Sequence, residues 1–298
     1  MTPTIQHEPW IFISYRRASG GQHLAPRVKA FLEASCGPSS VFLDASTIPG
    51  GAEWLPEIRK HVASSLATLL LITPDWIPPR ADPEDVLLQE LQLSLAGGNF
   101  ILPLLFDGAK MPNFDDLPES LRFLTAKQGY FLDSRSENIF AAAMSVVCKE
   151  LREMFPSTVQ LVRERAGWWD RNMNVNTWSA DIDGQKLVEL TGRMIEAKQT
   201  CLPGPHRLKL HWNEDASRAT GNKWGPVDVH HHSYGATPEI RVCLWPGTYR
   251  FTLRSLPEQD TRGWLAKFFA STNDEVPRTT HQLAFASLSK ESADRRNS

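Results

Sequence analysis

An α/β domain built on a flavodoxin-like, five-stranded parallel sheet, followed by a mainly β domain, is what this 298-residue sequence predicts. Three observations carry that expectation. Short apolar runs alternate with helix-period segments through Phe155. Each run ends in polar or turn-forming residues, and beyond Pro156 the helical period gives way to β-type alternation rich in tryptophan. Strands alternating with helices imply parallel pairing through right-handed crossovers.

The elements follow in order. Trp10-Ile11-Phe12-Ile13-Ser14-Tyr15-Arg16-Arg17 reads as a buried strand that delivers polar groups to the sheet's C-terminal edge, where such folds bind ligands. Ala18-Ser19-Gly20-Gly21 then turns into a helix over Leu24 to Ala34. Val41-Phe42-Leu43-Asp44 is a second strand ending in a carboxylate. The breaker-rich loop Ala45 to Gly51 precedes Trp54, Ile58, Val62 and Leu66 at helical spacing. Thr68 to Ile72 is the third strand, Pro83 to Ala96 the next helix, and Asn99 to Leu105 the fourth strand. Gly129 to Leu132 is a weaker fifth strand, and a last helix runs through Ile139, Met144, Val147 and Leu151.

After Pro156 the pattern changes. Seven of the ten tryptophans lie there, and Val175 to Ile182, His206 to Trp212, Glu239 to Leu244 and Tyr249 to Leu253 carry strand signals. Asp183-Gly184 is a hairpin signal. Cys201-Leu202-Pro203-Gly204-Pro205-His206-Arg207 is echoed by Leu244-Trp245-Pro246-Gly247-Thr248-Tyr249-Arg250, a turn-then-strand unit common in antiparallel sandwiches. The expected division is therefore 1–155 for the α/β domain, 156–172 for a connector, 173–288 for a β-sandwich and 289–298 for a disordered tail.

Composition bounds the function. Through Phe155 there are 13 Lys and Arg against 18 Asp and Glu, a net of −5; the remaining 19 against 16 give +3. That is too little positive charge for a phosphate-tracking surface, so nucleic acid is not the expected partner. Cys36, Cys148, Cys201 and Cys243 lack CxxC spacing, which fits reduced thiols. The longest apolar stretch, Leu66 to Ile72, is far short of a membrane span of about 20 residues, and no leader is recognisable, so a cytoplasmic protein without a membrane partner is expected.

The first strand and its exit, the second strand with its loop, and the segments after them resemble Toll/interleukin-1 receptor (TIR) domains over about residues 9–155. The resemblance extends to TIR enzymes that cleave NAD, in which Glu90 matches the catalytic glutamate. In its helix Leu87, Leu88, Leu91 and Leu95 form a core stripe, and Glu90 falls on the flank with Val86 and Leu93, where partial desolvation would make it more basic. Breaking the nicotinamide–ribose bond leaves an oxocarbenium-like sugar, which a carboxylate at the ribose stabilises. Nicotinamide leaves as a neutral molecule, so neither an acid nor a metal is required, and NAD is a substrate with no cofactor expected. Arg16, Arg17 and the amides of Ser19, Gly20 and Gly21 are suited to the diphosphate, and Tyr15 is expected among the NAD contacts. The resemblance also places Asp44 at the sheet edge and Trp54 beside the so-called BB loop, where it could stack on a flat ring or simply fill the core.

Two departures stand out. Val86 occupies a position, four residues before the glutamate, that is aromatic in many TIR enzymes, and Pro49-Gly50-Gly51 replaces an acidic residue of some relatives. Asp228, His230 and His232 alternate along an extended run, yet no fourth metal ligand can be named and no metal site is expected. Walker, GxGxxG, GxSxG and HExxH signatures are absent. The leading expectation is a TIR NAD glycohydrolase that self-associates through TIR surfaces. Its β-rich domain would sense a ligand or protein, as in the bacterial antiphage effectors that this architecture resembles. The alternatives are a non-catalytic TIR scaffold, or a small-ligand or carbohydrate binder in which the Trp-rich sandwich dominates.

Overall fold

The structure is a computed structural model that describes residues 8–43, 54–80, 82, 84–163, 175–191, 194, 196–222, 225–236, 239–253 and 290–291. The chain divides into two compact units, the first comprising Met1–Pro156 with Leu202–Pro205 and the second Ser157–Cys201 with His206–Ser298.

In the first unit β1 (Ile11–Tyr15), β2 (Val41–Leu43), β3 (Ala67–Ile72), β4 (Phe100–Phe106) and β5 (Tyr130–Leu132) form one all-parallel sheet in the order β2-β1-β3-β4-β5. The order reverses between β1 and β3, which is the flavodoxin-like arrangement the sequence predicts. Helices α1 (Gly21–Cys36) and α4 (Glu137–Met154) pack together, as do α2 (Trp54–Ser64) and α3 (Val86–Ala96). Arg27 ties the first pair, lying 3.9 Å from the Phe140 ring centroid and bonding to Glu137 and the Ser134 carbonyl.

Strand alternation divides the core. Phe12 of β1 and Phe42 of β2 are fully buried against Ile58 and Val62 of α2, with Leu93 of α3 beside them. Leu70 and Ile72 of β3, Ile101 and Leu105 of β4 and Leu87, Leu88 and Leu91 of α3 form a second cluster. Helix α3 thus has apolar neighbours on both flanks. Its buried residues are Leu87, Leu88, Glu90, Leu91 and Ser94, whereas Leu95, expected in the core stripe, is 38% exposed. Glu90 and Ser94 sit inside the i, i+3, i+4, i+7 stripe rather than beside it.

The second unit is mainly β. One sheet runs β11-β10-β7-β8 with β12 against β10, from Val175–Ile182 (β7), Gln185–Thr191 (β8), Gly204–Asn222 (β10), Gly225–Ala236 (β11) and Ile240–Leu244 (β12). The other runs β14-β13-β6-β9, from Ser157–Arg163 (β6), Glu196–Cys201 (β9), Gly247–Leu253 (β13) and Lys290–Glu291 (β14). The stretch expected as a connector therefore begins with a strand. Ser157–Arg163 carries alternating Val159 and Leu161 into the core, both fully buried, and pairs parallel with β13 and antiparallel with β9. Within the expected disordered tail, Lys290 and Glu291 pair with Tyr249 and Thr248. Asp183 and Gly184 both have positive φ, 52° and 80°, as the tight β7–β8 hairpin demands.

The echoed Pro-Gly segments are structurally alike. Gly204 and Gly247 share φ = 134°, and at each the chain leaves one sheet and enters the other, from β9 to β10 and from β12 to β13. In the second copy the fully buried Tyr249 hydroxyl accepts the Trp245 amide at 2.6 Å, closing the corner as tyrosine corners do in sandwich domains. In the first copy His206 takes the Tyr249 position, and its ring nitrogen lies 2.7 Å from Asp183 Oδ2.

Candidate functional site

Beneath the point where the strand order reverses, β1 meets α3. Ser14 is the one aliphatic hydroxyl in the run Ile-Phe-Ile-Ser-Tyr, and with Phe12 it faces α2 and α3. Its Oγ donates to Glu90 Oε2 at 2.6 Å, with both residues buried, Ser14 to 1% and Glu90 to 4% exposure. One turn further, Ser94 Oγ donates to the Glu90 carbonyl and accepts from Thr68 Oγ1, which in turn accepts from Asn99. A carboxylate this deep is costly unless hydrogen-bonded, so a polar thread runs through an otherwise apolar interface. The sequence pattern predicts a partly desolvated Glu90 on the flank of α3; packing between the two core clusters encloses it instead.

The exit of β1 is fastened to the exit of β3. Arg16 Nη2 donates to Asp85 Oδ2 at 2.6 Å and Arg16 Nε to the Ile77 carbonyl at 3.1 Å. Thr73 Oγ1 donates to the Ser19 carbonyl at 2.6 Å. Asp85 is the N-cap of α3: its Oδ1 accepts the Leu88 amide, and Oδ2 also accepts the Arg80 amide. Burial alone would raise its pKa, but the Arg16 hydrogen bond and the two amides outweigh that and hold the carboxyl below the usual carboxylate range.

The other expected ligand contacts divide by face. Arg16 bonds through Nη2 to Asp85 and through Nε to the Ile77 carbonyl. Ser19 is buried, with its amide donating to the Arg16 carbonyl at 3.4 Å and its own carbonyl engaged by Thr73. Gly20 adopts φ = 78° as the chain turns into α1, and a Cβ on Gly21 would lie 2.9 Å from Tyr15 Cδ2, so this glycine pair lets the helix start against Tyr15. Tyr15, one residue out of phase with Ser14, lines with Arg17, Gln22, Pro26, Lys29 and Leu43 a cleft of about 470 Å³ beside α1. That cleft lies on the α1 side of the sheet, opposite Glu90. Trp54 opens α2, and Val86 opens α3 one turn ahead of Glu90. Asp44, the loop Ala45–Gly51 and the Trp54 side chain lie outside the described residues. Asp228, His230 and His232 do alternate on β11, opposite Ala219, Ser217 and Asp215 of β10. Among the described residues no cluster of His, Cys, Asp or Glu could hold a metal, and no helix is long and apolar enough to cross a membrane.

Ser14 and Asp85 carry functions the sequence reading did not give them. Asp85 was legible as a cap, an Asp directly before an apolar helical run. Ser14 was legible only as the single polar residue on the α3-facing side of β1.

An all-parallel 2-1-3-4-5 sheet defines the flavodoxin-like fold, and here polar groups gather where the strand order reverses. Residues 11–140 match the family model described as TIR domain, and the first unit is a TIR domain. Among solved structures, the TIR domains of the activated Roq1 resistosome that recognises the pathogen effector XopQ are 14% identical, covering 47% of this chain and 98% of that one at a TM-score of 0.37. The TIR domain of the Toll-related receptor TRR-2 from Hydra magnipapillata is 16% identical, covering 48% and 97% at 0.33. A TIR-STING receptor from C. gigas, solved with 2′,3′-cGAMP, is 14% identical, covering 78% and 76% at 0.33. No curated protein matches the chain.

Proposed function

We propose that the TIR unit hydrolyses NAD to nicotinamide and ADP-ribose, with Glu90 as the catalytic carboxylate, and that the β-rich unit governs its assembly, in a role such as antiphage defence. The observation that carries this reading is the enclosed Glu90 carboxylate, held by Ser14 at the topological switch point, where an α/β fold binds its ligand. A buried carboxyl group is retained against the cost of its burial where it has work to do. As the N-glycosidic bond breaks, its electron pair leaves with the nicotinamide nitrogen. Glu90 faces the positive charge that develops at the ribose, and water then adds at the same carbon and loses its proton. Arg17 and Tyr15, at the rim of the α1 cleft, and the Gly20 and Gly21 amides are candidates for the diphosphate end.

One observation favours the scaffold alternative: at 4% exposure, Glu90 is covered. Turnover therefore requires the cover to open, and assembly of TIR units is the means this reading assigns. The test is nicotinamide release by the full chain over a range of concentrations. Activity should rise more steeply than linearly with protein, and Glu90→Gln should lower it by about 10²-fold or more, the scale for a lost transition-state electrostatic partner. Silence at every concentration and under forced clustering would leave the scaffold reading.

A further inference from the structure

We infer that Arg16 and Asp85 are positioning residues, which with Ser14 suture β1 to α3 and fix where the Glu90 carboxylate sits. This rests on the reading of Glu90 as the group that faces the ribose. Ser14 and Arg16 are two apart at the end of β1 and so leave the backbone toward the same side. Their partners, Glu90 and Asp85, are five residues apart along the first half of α3, about 7.5 Å of helix rise. One contact between a strand and a helix leaves the helix free to roll about it, whereas two contacts so spaced fix both roll and axial position. Both contacts are short, at 2.6 Å each.

The rest of the geometry agrees. Arg16 Nε and Nη2 are both engaged inside the domain, by the Ile77 carbonyl and by Asp85, so the Nε–Nη2 edge of the guanidinium is turned to the protein. Asp85 joins three segments at once: the end of β1 through Arg16, the loop through the Arg80 amide, and the helix through the Leu88 amide. The depressed carboxyl of Asp85 means that this junction stays charged throughout the neutral range.

The test is steady-state NAD cleavage by the full chain carrying Arg16→Ala, Arg16→Lys, Asp85→Asn and the Arg16→Ala/Asp85→Asn pair, each assayed well below its melting temperature. Asn retains an oxygen for the Leu88 amide, so the helix cap survives. Misplacing a reacting group by about an ångström costs up to about 10²-fold. Each single alanine or asparagine change should thus lower kcat about tenfold while shifting KM for NAD less than twofold. The pair should fall no further than the worse single change, and Arg16→Lys should recover part of the loss. In a Glu90→Gln background Asp85→Asn should leave the residual rate unaltered, an outcome that general weakening of the fold would not give. A KM raised tenfold by Arg16→Ala with Asp85→Asn neutral would overturn the inference and make Arg16 a phosphate ligand. Multiplicative losses in the pair would overturn it as well. A wild-type chain that releases no nicotinamide when clustered overturns the NAD reading itself, a result seen without any variant.

Discussion

Truncating Ser14 tests the Glu90 environment without reference to any substrate. Ser14→Ala removes the donor 2.6 Å from Glu90 Oε2 and leaves that buried carboxylate one partner short. Losing a hydrogen bond to a charged group costs about 1.5–3 kcal/mol. A unit of this size melts roughly 2–4 °C lower for each kcal/mol, so the TIR transition should fall by roughly 3–12 °C. Calorimetry on the full chain is the assay, because two units need not melt together. If the loss comes from the stranded carboxylate, replacing Glu90 by Met in the same chain should return most of it, since removing both partners is far cheaper than removing one. Additive losses, with the double variant less stable than either single one, would refute the claim that Ser14 acts through Glu90.

Three further outcomes follow from the packing. Tyr249→Phe removes the hydroxyl that the buried Trp245 amide bonds and should destabilise the β-rich unit by about 1–3 kcal/mol, read as a lower second transition; an unmoved transition would mean that the corner does not close through the hydroxyl. Asp85 is harder to protonate folded than unfolded, so its contribution is fully present above the ordinary carboxylate range and is lost as pH falls through its depressed folded value. Wild type should lose stability in acid more steeply than Asp85→Asn, and parallel pH profiles in denaturant titrations would contradict this. Gly21→Ala puts a methyl 2.9 Å from Tyr15 Cδ2 and 3.0 Å from the Arg16 carbonyl, and should destabilise the TIR unit by about 1–3 kcal/mol; unchanged melting would show that the turn yields freely.

The sequence showed the sheet more fully than the site. Each strand of the TIR unit is an apolar run with its own punctuation, so all five are local properties and could be read in order. Partnerships across long sequence separations are not local. Arg16 stands at a strand exit, as a diphosphate ligand would, and nothing nearby reveals that its carboxylate lies 69 residues away. The depth of Glu90 was misjudged for a related reason. With leucines on both sides of α3, the stripe through Leu87, Leu91 and Leu95 is more apolar than the one through Leu87, Glu90, Leu91 and Ser94, so the pattern points away from the face that is buried. Only packing between two core clusters shows which one faces inward. In the second unit the hairpin at Asp183-Gly184 and the matched Pro-Gly turns were legible because backbone conformation dictates those residues. Pairing of Ser157–Arg163 with a strand near the chain's far end was not, because parallel partners can be separated by any length of chain.

That pairing has a consequence for how the protein is made. Ser157 Oγ bonds the Trp245 carbonyl, 88 residues further on, and β6 acquires its parallel neighbour only when β13 exists. Ribosomes deliver chains from the N-terminus at about 5–20 residues per second, and N-terminal domains fold first. Every segment of the TIR sheet has therefore emerged several seconds before the second unit can close its sheets. For that interval each nascent chain carries a TIR domain without its companion, and on a crowded polysome such domains are neighbours. If the TIR unit cleaves NAD and assembly switches that activity on, as proposed above, translation itself is the moment of greatest exposure, and slow initiation or sparse ribosome loading would be the safeguard to look for.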